Sequence, residues 1–293
     1  MRTGAGRIGC AATTNTNLKH SIRGTVRNYT RLAVVTAVPV ADRRFLASCA
    51  IVFVASVAIT VYACESMSGG MPMRGDWTMS MAWMRIPDRS WLAGTIMFMG
   101  MWIAMMTAMM SPVLVVTLLR FRRQQAESTV PELNALTAAV AGGYLLVWSI
   151  FGMVLYPIGV VAAGVLMVTP TLACLAPAAS AAILVVAGCV QLTDWKVRAL
   201  CRCRSEGMSR AARVDRVVEG WRVGLRMGMD CVVCCSGLMA VLIVTGVMNL
   251  VGMALVATAI TAERLLRNPR SIDRAIGVGI IMFGLLHLDS VSQ

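Results

Sequence analysis

Long apolar runs, broken by short polar or charged stretches, organise this chain. A helix that crosses a bilayer needs about 20 mostly apolar residues. Five segments qualify: 45–62, 91–119, 136–154, 172–192 and 229–248. Two shorter ones follow, 250–266 and 275–288. The pattern predicts an all-α fold, a polytopic transmembrane helix bundle of about seven spans (six to seven). Asn249 alone separates the fifth segment from the sixth. That spacing demands a very tight turn, or else one broken or re-entrant element.

The charges orient this bundle. Basic residues precede the first span (Arg43, Arg44), follow the second (Arg120, Arg122, Arg123) and fill 196–226. They recur between the last two (Arg264, Arg267, Arg270, Arg274). With seven spans all four clusters fall on one side. The positive-inside rule then predicts a cytoplasmic N-terminus. Residues 1–42, basic and rich in Thr and Asn, read as a flexible cytoplasmic tail, too long and polar for a secretory signal. Residues 43–293 read as one transmembrane helical domain with a Met-rich external loop, 64–91, and a basic cytoplasmic loop, 195–226.

Composition agrees. Hydrophobic residues make up 58% of the 293, charged ones 14%, and mean hydropathy is +0.73. Soluble domains hold roughly 45–50% apolar and about 25% charged residues. Soluble enzyme folds are thereby excluded, and so is extensive disorder. The net charge of +13 is accounted for by topology, so the expected partner is the lipid bilayer and no nucleic acid. With two His, and no phosphate loop, Ser/His/Asp set or HExxH helix, no hydrolytic site is legible.

Sulfur changes the picture. The chain has 10 Cys and 23 Met, and thirteen of the Met lie between Met67 and Met110. In the fifth span, residues three and four apart share a face. Cys231, Cys234 and Cys235 therefore line up there, extended by Met227 and Met239, with Asp230 beside them. Thiolates and thioethers select Cu(I), and thiolates also select zinc. A carboxylate such as Asp230 is costly inside a membrane and so points to function. Against this, Cys packs well as a small hydrophobe, and Asp230 can sit at the headgroup boundary beside Arg226.

The second span adds Met105, Met106, Met109 and Met110 at a depth matching the thiols, counted from the nearest basic cluster. These Met occupy more than one helix face, so some of the methionines there fill core or meet lipid. Cys189 and Gln191 on the fourth span and Tyr144 on the third reach a similar depth. Direct packing of the second span on the fifth is the expected consequence. In the external loop, Met79-Ser80-Met81 suits two thioethers on one Cu(I), or an interfacial loop with an aromatic belt. Cys201-Arg202-Cys203-Arg204 reads as a basic loop with two thiols, able to pass on a metal. His287 reads as a structural histidine.

Several of these runs carry a family resemblance. They are Ala104-Met105-Met106-Thr107-Ala108-Met109-Met110-Ser111-Pro112, Gly143 to Trp148, Gly188 to Lys196 with Cys201 to Arg204, and Gly220 to Glu263. The last includes Cys231-Val232-Val233-Cys234-Cys235 and Gly246-Val247-Met248-Asn249. Across residues 92–267 the chain resembles a bacterial family of predicted metal-binding integral membrane proteins, a domain-of-unknown-function family. Val233 and Ser236 stand where that family usually has Gly and Trp. The resemblance implies a multi-pass protein of the bacterial inner membrane with metal binding.

The expected site is Cys231, Cys234, Cys235 and Asp230 with Met105, Met106, Met109 and Met110. Gln191, Cys189, Tyr144, Met227, Met239 and Asn249 are accessory. Copper is the expected ligand, zinc less so. The expected task is copper handling or delivery, with a soluble metal donor or acceptor, or a membrane partner subunit. Two rivals are a subunit of a copper-dependent membrane oxidoreductase or monooxygenase and a structural scaffold. Scarcity of His counts against a self-contained copper oxygenase.

Overall fold

A computed structural model describes residues 40–66, 70–73, 77–80, 83, 90–125, 129–209, 216–266 and 269–292. The chain divides into two units, Met1–Ala47 and Ser48–Gln293. The described part of the first is the opening of helix α1, Val40–Ser66. The second holds the rest of α1, a short hairpin and a helical bundle. Its helices are α2 (Trp91–Gln124), α3 (Val130–Val168), α4 (Pro170–Gln191), α5 (Asp194–Ser209), α6 (Val217–Thr245), α7 (Leu250–Leu265) and α8 (Pro269–Ser292).

The all-α bundle is as the hydropathy pattern predicts. Among the described residues six helices are long and apolar enough to cross a membrane: Asp42–Ser66, α2, α3, α4, α6 and Arg270–Leu288. The remaining expected span is α7. Its 16 residues make it about 24 Å long, shorter than a bilayer core.

Two stretches read as loops hold regular structure. Within 64–91, β1 (Gly70–Met73) pairs antiparallel with β2 (Trp77–Ser80), placing Met71 opposite Met79. Trp77 Nε1 donates to the Ala173 carbonyl at 3.0 Å, which ties the hairpin to α4. Within 195–226, α5 occupies Asp194–Ser209 and α6 has begun by Val217. The density of arginine hid an amphipathic helix whose Ala199 and Leu200 are buried.

The turn after α6 is the tight one the spacing demands, and it separates two distinct helices. Gly246 lies at φ +103, a conformation open to glycine but strained for other residues. Asn249 then caps α7, its side chain accepting from Gly252 N at 3.0 Å.

The broadest helix contact is α3 on α6, followed by α4 on α8. The first depends on Gly220, Gly224 and Gly228, one per turn along α6. A Cβ at Gly224 would run into the Val140 carbonyl, and one at Gly228 would lie 2.8 Å from Val147 Cβ. Small residues at this spacing let helix backbones approach closely. This seam delivers the cysteine turn of α6 against α3.

Arginines of α2, α5 and α7 lie close together, with Arg120, Arg204 and Arg264 lining one cleft. Arg122 on α2 donates to Asn134 Oδ1 on α3 at 2.9 Å. Arg204 on α5 donates to the Leu266 carbonyl, just past α7, at 2.8 Å. Arg264 reaches Cys203. Arginines far apart in sequence thus lie together.

Candidate metal centre

Helical periodicity turns Cys231, Cys234 and Cys235 to the interior, where they are 0%, 1% and 0% exposed. Cys235 Sγ lies 3.8 Å from Cys231 Sγ and 3.9 Å from Cys234 Sγ. Tyr144 OH approaches Cys231 Sγ at 2.9 Å across the glycine seam. Arg264, the one arginine of α7, aims Nη2 at Cys203 Sγ at 3.0 Å, at Cys234 Sγ at 3.7 Å and at Cys235 Sγ at 4.0 Å.

A polar brace supports this group. Lys196 Nζ donates to the Cys234 carbonyl at 2.7 Å and pairs with Glu263 at 2.8 Å. Gln191 Nε2 donates to the other Glu263 oxygen at 2.7 Å. Lys196 and Glu263 are each 1% exposed. Burial disfavours the Lys196 ammonium, but the Glu263 carboxylate together with the Cys234 and Cys235 sulfurs outweighs it and holds the group above the ordinary lysine range. The Cys203 thiol is pushed up, first by its hydrogen bond with Cys234 and then by burial. Arg204 is pulled down by burial and by the neighbouring charge of Arg120.

Met105, Met106, Met109 and Met110 are 1%, 1%, 3% and 1% exposed and share one buried cluster with the three cysteines, Tyr144 and Met239. Met97 faces outward. Direct packing of α2 on α6 is not among the main helix contacts; α3 and α7 each pack on both. The two sulfur sets therefore meet through side chains reaching into a common core. Methionine has the length for this.

The accessory residues divide. Tyr144 and Gln191 reach the centre directly or through Glu263, and Met227 packs half-buried against the same core. Cys189 is exposed on α4, two residues before buried Gln191 and so on the opposite side of the helix. Asn249 is exposed, capping α7 beyond the far end of α6. Both stand apart from the thiols. Asp230 is half-buried on α6; the carboxylate braced beneath the cysteines is Glu263. Of the outer methionines, Met79 is buried. Met67, Met81 and Met84 lie outside the described residues. His287 contacts Ser180 Oγ at 3.2 Å and stacks on Phe283, as a structural histidine does.

Cys203, legible in sequence as a loop thiol able to pass on a metal, joins the centre, and three further contributors were not legible as such: Arg264, Lys196 and Glu263. Each of these three sits at the edge of an apolar run and reads there as topology or boundary. Glu263-Arg264 at the end of a short apolar helix was the available signal, since buried charges need partners.

The donor set is soft. A zinc–thiolate bond of about 2.3 Å puts two sulfurs on one tetrahedral ion about 3.8 Å apart, close to the spacings found here. Among the described residues no group of three or more His, Cys, Asp or Glu converges as a ready-made ion site. The thiols are turned instead toward Tyr144, Cys203 and Arg264.

A family model described as "PpoB2: Copper chaperone" matches residues 99–287, and the chain belongs to that family. The match takes in α6 with its cysteines, the Met turns of α2, and α5 and α7. No curated protein and no solved structure matches the chain.

Proposed function

We propose that this member of the copper chaperone family is a multi-pass protein of the bacterial inner membrane. In this reading it holds Cu(I) in its helical bundle and delivers it to an acceptor. Cys231, Cys234 and Cys235 are the thiolate ligands, and a thioether from Met105, Met106, Met109 or Met110 completes the set. The observation that carries this reading is the buried turn of three cysteines set among buried methionines, within a chain of a copper-handling family. Soft sulfur in a site without imidazole suits Cu(I) rather than a harder ion. Binding replaces the Tyr144 and Arg264 contacts of the thiols with metal–sulfur bonds, and the ion's charge offsets that of the thiolates.

Protein purified without chelators retains copper on this reading. X-ray absorption at the copper edge then shows Cu(I) with a sulfur-only shell. A copper-free protein that also takes up none from added Cu(I) would remove the proposal, and so would a nitrogen- or oxygen-dominated shell.

The arginine-rich end faces the cytoplasm in this proposal, because positive charge is retained on that side. A single Cys introduced in the 210–215 segment is then shielded from an impermeant thiol reagent in intact cells and labelled once the membrane is opened. Labelling in intact cells would reverse the orientation.

A further inference from the structure

We propose that Cys203 is a relay thiol through which Cu(I), arriving as a small anionic bis-thiolate complex, passes into the buried cysteines of α6. Arg264 is the plug that holds this route shut until the ion arrives. The inference rests on the copper reading above and adds to it a route, an entry ligand and the form of the cargo.

Burial ranks the sulfurs by depth. Cys231, Cys234 and Cys235 are closed off from solvent, whereas Cys203 is half-buried. Arg264 Nη2 touches Cys203, Cys234 and Cys235 together, so Cys203 is the outermost member of one group of sulfurs. It comes from α5, outside the six long apolar helices, so the group begins at the bundle's polar end.

A small cleft opens on this point. Arg120, Cys203, Arg204 and Arg264 line it, with Val113, Val116 and Thr117 of α2 and Leu265 of α7 completing the wall. Three arginines around one thiol form a poor entry for a bare cation and a good one for an anion. Cu(I) carried by two thiolates has a net negative charge at the metal centre, so the cleft attracts copper in that form. Guanidinium groups at the mouth draw the complex in and leave its sulfurs within reach of Cys203.

Transfer is then ligand exchange. Cys203 sulfur forms a bond to Cu(I), one carrier thiolate leaves, and the proton displaced from Cys203 goes to that departing sulfur. Cys234 next replaces the remaining carrier thiolate, and its proton leaves in the same way. Copper stays Cu(I) throughout and no electron moves. Arg264 spans the handover, contacting Cys203, Cys234 and Cys235 at once. Its guanidinium occupies the space the ion must cross, so it swings aside as the metal's charge replaces its own. Its Nε, buried and without a hydrogen-bond partner, leaves the head group less firmly anchored than a fully satisfied one.

The full-length protein in detergent or nanodiscs is loaded from Cu(I)–glutathione, an anionic bis-thiolate donor, or from Cu(I)–acetonitrile, a cationic one. Uptake is followed through the copper–thiolate absorption band. Cys203→Ser is expected to slow loading from glutathione at least tenfold and to reach the wild-type plateau only slowly. Arg120→Gln with Arg204→Gln is expected to slow loading from glutathione while leaving the acetonitrile rate unchanged or raised. Arg264→Gln is expected to speed loading from both donors.

Unchanged loading in Cys203→Ser would overturn the relay while the deeper site stands. A lowered plateau would make Cys203 a permanent ligand, and would overturn the relay equally. Equal slowing from both donors in the double Arg variant would overturn the anionic cargo. Absence of uptake by the wild type from either donor would overturn the copper reading itself. Gel filtration and helical circular dichroism establish that each variant remains folded, and Cys203→Ala serves in place of a Ser variant that does not.

Discussion

Replacing Cys231, Cys234 and Cys235 together by Ser is expected to strip the purified protein of copper, from the stoichiometric retention proposed for the wild type to background, while the helical bundle stays intact. Ser is close to Cys in size but offers a hard hydroxyl in place of a soft thiolate. All three side chains are fully buried and contribute little packing that Ser cannot replace. The hydroxyl at 231 can still bond Tyr144 OH, which lies across the seam at hydrogen-bonding distance. A packing role therefore tolerates the change and a ligand role does not. Single replacements weaken retention unequally, because a neighbouring Met can stand in for one lost sulfur. Asp230→Asn has a smaller effect than any of them, since Asp230 is half-buried and Glu263 is the carboxylate beneath the thiols. Competition with a Cu(I) chelator, run on wild type and triple variant side by side, measures all of this. Equal copper content in the two proteins would return the cysteines to packing.

The second large effect falls on stability. Lys196→Met leaves the Glu263 carboxylate buried without its cation, supported by Gln191 alone. Removing one partner of a buried ion pair costs about 3–5 kcal/mol, since an uncompensated charge remains. The Cys234 carbonyl also loses its donor. Thermal unfolding in detergent should drop markedly for Lys196→Met. It should recover much of the loss in Lys196→Met/Glu263→Leu, where neither charge remains. A single variant that melts with the wild type would show that water reaches Glu263 and that the brace carries little.

Hydropathy made most of the bundle legible, because a bilayer-length apolar run leaves its backbone few alternatives to a helix. The face shared by Cys231, Cys234 and Cys235 was legible too, since helical spacing alone sets it. What surrounds them was not. Lys196 and Arg264 look like flanking charges until the fold turns them inward, and their partners lie far off in sequence. Lys196 meets Glu263 across 67 residues, and Arg264 meets Cys203 across 61. Gly220, Gly224 and Gly228 show a recognisable spacing, yet the helix they admit is named only by the packing. Asn249 sat within a motif of the family resemblance, but its side chain is committed to a helix end. Cys189 lies exposed and apart from the thiols for a simpler reason, because matched depth does not fix which way a side chain points.

In the membrane setting proposed above, the brevity of α7 has a consequence for the lipid around it. At 16 residues it spans about 24 Å, against an acyl layer of about 30 Å. Such a hydrophobic mismatch is relieved by thinning the membrane or by drawing headgroups and water toward the short helix. Arg264, at the end of this helix, marks where that dimple forms, and the thiols lie immediately beside it. On the proposed function, membrane thickness then becomes a variable of metal exchange. Reconstitution in short-chain lipids should shorten the path between the aqueous phase and the cysteines, and long-chain lipids should lengthen it, with no change in the protein itself.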